Sequence, residues 1–153
     1  MQILYETVKE ILSTGRVGIP VFMRCTVQIA PETDDLEDVL VRMLAAACSW
    51  LTASPLSVYA QSDRDWTQIT ATTKYAEGQT SIVSVNTGSD AAPRLDFMLL
   101  GNKGALYHDS EALHPEFDIA MEPTSIPECL ADAVAKSLRN GEPVAIEEVE
   151  DFE

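Results

Sequence analysis

The two histidines of the chain, His108 and His114, flank Asp109 and Glu111, and four such groups would ligate a metal ion if they converged. The same stretch reads more simply as an exposed strand end that turns before Pro115, and no metal is assigned. The carboxylates Asp34, Asp35, Glu37 and Asp38 are the types used for acid and base work, yet a helix N-terminus attracts such a cluster through its dipole without any chemistry. Trp50 and Trp66 are both able to stack on a sugar ring; Trp50 closes an apolar stretch and reads as core, whereas Trp66, near a strand start, is a surface candidate. Nucleophilic catalysis has no Gly-x-Ser-x-Gly elbow to build on, and no pairing of either His with a Ser or Cys can be argued from spacing. The segments nearest to a dinucleotide loop, Gly15 to Gly18 and Gly101 to Gly104, lead from helix to strand and from strand to strand. Neither aims a helix N-terminus at a pyrophosphate, and there is no Walker loop, so no cofactor is assigned.

These residues must be held by elements that the periodicity makes visible. Ile3, Leu4, Val8, Ile11 and Leu12 share one side of a helix that ends before Gly15. From Pro20 to Ile29, Val21, Met23, Cys25, Val27 and Ile29 alternate with Phe22, Arg24, Thr26 and Gln28, the period of a half-buried strand. A capping pattern at Asp34 to Glu37 opens a second helix, and from Val39 to Leu51 only Arg42 is charged, so this helix must be covered on most sides. Residues 56–60, 66–75, 79–87, 94–100 and 104–108 read as a meander of hairpins. In the 66–75 strand one face carries Trp66, Gln68, Thr70, Thr72 and Lys74, mixed enough to suit an interface as well as solvent. Ser125-Ile126-Pro127-Glu128 is a capping box before Leu130, Val134 and Leu138, which predicts a helix over 126–139, with Pro143 to Ile146 as a short closing strand.

Composition bounds the function. A chain of 153 residues is long enough for one core, and its 46% apolar content is that of a globular domain. The net charge of -15, with ten scattered Lys and Arg, argues against nucleic acid and anionic membrane as partners. Residues 147–153 form an acidic tail that reads as a solvated end, after a single domain over 1–146. Cys25, Cys48 and Cys129 lie far apart in apolar contexts, which suits buried thiols in a reducing compartment. No basic, apolar leader and no long apolar span is present, and the expected location is the cytoplasm.

Five segments succeed one another in a telling order: 8–21 with Gly15-Arg16-Val17-Gly18; Trp50-Leu51, a short turn and 55–60; 75–80; 99–106 with Gly101-Asn102-Lys103-Gly104; and 137–144. Together they resemble the C-terminal domain of the glucose-fructose oxidoreductase and inositol dehydrogenase family (Gfo/Idh/MocA), over nearly the whole chain. The resemblance implies an α+β fold, a mostly antiparallel open sheet with helices packed on one face. It also implies that the family's Rossmann domain, with its Gly-rich cofactor loop and the Lys of its Glu-Lys-Pro motif, would precede residue 1. The family's Asp and His on the central helix fall, counting back from Trp50, on Val39 and Met43, and an apolar pair cannot shuttle a proton.

The expectation is therefore a non-catalytic oxidoreductase-like domain that forms a homodimer through its open sheet face. One alternative is the substrate-shaping subunit of a split sugar dehydrogenase with a Rossmann-type partner subunit. The other is a sugar-binding module lined by Trp66, Gln68, Thr70 and Thr72.

Overall fold

A computed structural model describes residues 2–31, 35–88, 94–109 and 127–147. Helix α1 (Gln2–Ser13) buries Val8 to 1% exposure and rests Tyr5, Ile11 and Leu12 against the core, then gives way at Gly15, whose φ of 76° lies in the left-handed region that glycine adopts without strain. Strand β1 (Pro20–Ile29) keeps the expected alternation: Met23, Cys25, Val27 and Ile29 are buried, and Phe22, Arg24, Thr26 and Gln28 are not. Val21, assigned by pattern to the buried side, stays 46% exposed at the end of the strand, where the pairing with its neighbour is irregular between Pro20 and Phe22.

Helix α2 (Leu36–Leu51) begins one residue later than the capping pattern suggests. Asp35 is the N-cap, with φ -74° and ψ 125°, and its Oδ1 accepts the Glu37 N–H at 3.0 Å; Asp34 lies outside the described residues. The helix lies across β1, β3 and β4 and has α1 and α3 beside it, which is why ten of its residues are buried, Val39 and Met43 among them. It ends at Thr52, a non-glycine residue at φ 52° whose N–H closes on the Cys48 carbonyl.

Strands β2 (Pro55–Ser62), β3 (Gln68–Tyr75), β4 (Thr80–Thr87), β5 (Arg94–Gly101), β6 (Ala105–Asp109) and β7 (Val144–Ala145) join β1 in one sheet of order β6-β5-β1-β4-β3-β2-β7. The meander reading needs correction. β2, β3 and β4 are a meander, and β5 and β6 a hairpin, but β1 inserts between β4 and β5, parallel to the first and antiparallel to the second. Periodicity marks a strand but not its neighbour, and the connection through α2 is long enough for either placement. The fold class stands: α+β, with β1–β4 the one parallel pairing among the described strands.

Helix α3 (Glu128–Asn140) packs on β2, beside α2 and β7, burying Leu130, Ala133, Val134 and Ser137. Pro127 takes the N-cap position with no side-chain cap, and Gly141 at φ 69° ends the helix; Ser125 and Ile126, from the expected capping box, lie outside the described residues. Ser137 ties the layers together, accepting the Ala60 N–H at 2.9 Å and donating to the Glu142 carbonyl at 2.7 Å. All three helices sit on one face of the sheet. The core between them centres on Trp50, 1% exposed, whose ring meets Phe97 edge-on at 5.0 Å and Tyr5 at 5.8 Å. Cys25, Cys48 and Cys129 are free thiols.

Candidate functional site: the open face of the sheet

Alternation along each strand sends every second side chain to the face that the helices leave bare, and register sets these into rows. One row reads Tyr107 on β6, Met98 on β5, Arg24 on β1, Ile82 on β4, Thr72 on β3 and Tyr59 on β2. The next places Asp96, Thr26, Ser84, Thr70 and Gln61 side by side, and a third brings Leu100, Phe22, Thr80 and Lys74 together. None of these side chains is buried. Among the described side chains of this face three are basic, Arg24, Lys74 and Arg94, and Asp96 is the one acid, in a protein whose net charge is -15.

The polar groups are partly engaged with one another. Thr70 and Ser84 hydroxyls hydrogen-bond across β3 and β4, Gln61 Nε2 donates to the Tyr59 hydroxyl at 2.7 Å, and Arg94 Nε donates to both oxygens of Asp96, at 3.1 and 3.3 Å. Arg24 forms no ion pair among the described residues. A shallow depression of about 320 Å³ opens between Arg24, Thr26, Arg94, Asp96, Met98 and Tyr107, and a neighbouring one of about 420 Å³ continues toward Phe22, Ile82 and Ser84.

Of the candidates picked from sequence, Gln68, Thr70 and Thr72 stand on this face, half-exposed or exposed. Trp66 does not. β3 starts at Gln68, and Trp66 sits in the preceding turn at φ 56°, 54% exposed, beside Pro31, Asp35, Leu36, Glu37, Ile69 and Thr87 on the helix side. The turn is organised by Asp63, whose carboxylate accepts the Thr67 N–H at 2.7 Å and the Gln68 N–H at 2.9 Å; the Thr67 hydroxyl and these amides hold its pKa below the ordinary 3.8. Missed by sequence reasoning were Arg24, Met98 and Tyr107. Their alternation was readable, but their convergence depends on β1 lying beside β5.

The remaining candidates find structural roles. Val39 and Met43 are 1% and 0% exposed, inside the core. Asp35 caps α2 and Asp38 pairs with Arg42 at 2.9 Å, while burial and then Asp35 push Glu37 upward, against an opposing pull from Arg139. His108 lies opposite Phe97 on β6, and Glu111 and His114 are outside the described residues; among those described, no group of three His, Cys, Asp or Glu is placed to hold a metal. The two glycine pairs dock on each other: Asn102 Oδ1 accepts the Ile19 N–H at 2.8 Å, Lys103 N–H donates to the Val17 carbonyl at 3.0 Å, and a Cβ on Gly101 would meet the Val17 oxygen at 2.2 Å. Burial raises the Cys48 thiol to about 11 and drives Cys25 higher, the latter aided by the Asp96 carboxylate, so neither is a thiolate near neutral pH.

No protein-family model matches the sequence, and no curated protein matches it. Solved structures do. Myo-inositol dehydrogenase from Lactobacillus casei, in complex with NAD(H) and myo-inositol, superposes with a TM-score of 0.75 at 15% identity, covering 97% of this chain and 60% of that one. This chain shares the fold of part of that dehydrogenase. Myo-inositol 2-dehydrogenase from Lactobacillus plantarum gives 0.73 at 13% identity over 94% and 61%, and scyllo-inositol dehydrogenase from L. casei 0.71 at 10% over 93% and 61%. The chain thus spans about 60% of the length of the dehydrogenases it resembles, consistent with their C-terminal domain. No helix among the described residues is long and apolar enough to cross a membrane.

Proposed function

We propose that this chain is a non-catalytic, dehydrogenase-like domain whose role is self-association through the open face of its sheet. The carrying observation is that face: helices cover only one side, and the other presents Phe22, Ile82, Met98, Leu100, Tyr59 and Tyr107 among hydroxyls and amides, with few charges. Aromatic residues, Met and Arg are the types enriched where proteins associate. A seven-stranded face of this kind is large enough for the standard interface of roughly 800 Å² per partner. The buried apolar pair Val39 and Met43 supports the non-catalytic reading, since proton transfer requires a titratable side chain within reach of substrate. Three free thiols, two of them held protonated, fit a cytoplasmic setting.

Light scattering on the purified chain, with NAD and NADP titrated by calorimetry in the same buffer, tests this. A dimer without heat of binding is expected; a monomer that binds either cofactor would refute both halves of the reading. The coverage of about 60% of each dehydrogenase favours a second reading, in which a separate Rossmann-type subunit supplies the cofactor half. Purification from the native source without any such subunit would refute it.

A further inference from the structure

Arg24 stands on β1, the third strand of seven, with Ile82 and Met98 directly across on either side, so its charge sits amid apolar neighbours near the middle of the face. Any partner that covers the middle of the sheet strips water from this guanidinium, and a covered cation without an acceptor is strongly destabilising. Its own chain gives it no ion pair among the described residues. Asp96 lies diagonally from Arg24 across β1 and β5, whereas Asp109, which the register sets opposite Asp96 on β6, stands one strand further from Arg24. The two Asp96 oxygens both receive the same N–H of Arg94, and a carboxylate has about four acceptor sites, so it has room for a further donor.

From this we infer that two copies of the chain pair face to face with Arg24 of each copy bonded to Asp96 of the other. The inference rests on the sheet-pairing reading above and adds its register. A two-fold interface is self-complementary: if Arg24 meets Asp96 of the second copy, then Asp96 meets the second copy's Arg24, and both charges are satisfied by one symmetry operation. For two stacked sheets the axis lies in the interface plane and bisects the line between the paired residues. On this face it runs close to the other diagonal, past Thr26 and Met98, so that each Met98 lies near its own symmetry mate. Asp96 then bridges Arg94 of its own copy and Arg24 of the other, and the shallow depression between Arg24, Thr26, Met98 and Tyr107 is filled by the partner's side chains.

The test uses Arg24→Glu and Asp96→Lys, both at unburied positions, each checked by circular dichroism for an unchanged fold. In either variant alone the homodimer would oppose like charges at both contacts. Its dissociation constant, measured by analytical ultracentrifugation, should rise about thirtyfold or more, the range for removing one partner of a covered charge pair. An equimolar mixture of the two variants regains attraction at both contacts, with the introduced glutamate against the introduced lysine at one and the native Arg24–Asp96 pair at the other. The mixture should dimerise with near-original strength. A monomeric starting protein overturns the pairing reading itself. A dimeric one whose variants dimerise as before, or whose variants fail to restore each other on mixing, overturns the Arg24–Asp96 register while leaving self-association standing.

Discussion

Substituting Val39 by Asp places a carboxylate at the position where the family resemblance would put an acid, and the structure sets the cost. Val39 is 1% exposed and Met43 beside it on the helix is 0% exposed. A carboxylate so buried, without a cation or a set of amides to receive it, has its pKa raised by desolvation, by roughly 3 units or more. At about 1.36 kcal/mol per unit, that shift costs about 4 kcal/mol at pH 7, and the lost apolar burial of Val adds roughly 1.5 kcal/mol. The sum, about 5.5 kcal/mol, is a large part of the total stability of a domain, roughly 5–15 kcal/mol. Linkage sets the sign with pH: the folded-state pKa lies above the unfolded value near 3.9, so the electrostatic part is absent below about pH 4 and grows until the pH passes the folded value near 7. Urea unfolding at pH 5 and pH 7 should therefore show the Val39→Asp variant gaining about 2.5 kcal/mol relative to the parent at the lower pH. A variant within about 1 kcal/mol of the parent at both values would mean that this helix face opens to water, and that an acid-base pair could have been held there after all.

Met98→Cys near the proposed two-fold should crosslink two copies under mild oxidation, seen as a doubled mass on a non-reducing gel, whereas the parent, whose three thiols are wholly or partly buried, should not. The Asp63 carboxyl should titrate by NMR below 3.8, and because its pKa is depressed in the folded state the order of the β2–β3 turn should persist above that value and fade as the pH falls through the folded pKa. Gly101→Ala drives a Cβ to 2.2 Å from the Val17 carbonyl oxygen, a backbone atom that cannot swing aside, and should lower stability in urea by about 1–3 kcal/mol; an unchanged midpoint would deny the close approach. Ser137→Ala leaves the buried Ala60 N–H without its acceptor and should cost about 1–3 kcal/mol in the same assay.

Which parts of this fold a sequence reveals depends on the range of the interactions involved. The alternation in β1 and the four-residue spacing of Leu130, Val134 and Leu138 are local consequences of burial on one side, and they are legible. Trp50 is legible as core for the same reason: the helix around it has almost no polar side to spare. The neighbours of β1 are not, since nothing within residues 20–29 distinguishes pairing with β4 from pairing with β2, and the partner lies more than fifty residues away in the chain. Trp66 reads as a strand residue and is not one, through a cause only the structure exposes: Asp63 draws the amides of Thr67 and Gln68 onto its carboxylate and thereby starts the strand two residues late.

That delay also changes what the open face is. With Trp66 gone to the helix side, β3 contributes Gln68, Thr70, Thr72 and Lys74, which alone look like an ordinary wet strand. The apolar character comes instead from β1, β4, β5 and β6, as Phe22, Ile82, Met98, Leu100 and Tyr107. An antiparallel sheet face left to water alternates polar residues outward, and Lys and Glu are among the types most often exposed there. This face has one Lys, no Glu among its described residues, and two arginines, the cation best suited to planar pairing with a carboxylate. One of those arginines already holds Asp96, and the other has no ion pair among the described residues of its own chain. A surface with an odd cation, an acid with spare acceptor sites and an apolar surround is complementary to itself, and that property, not its apolar area alone, is the reason for taking a second copy as the partner.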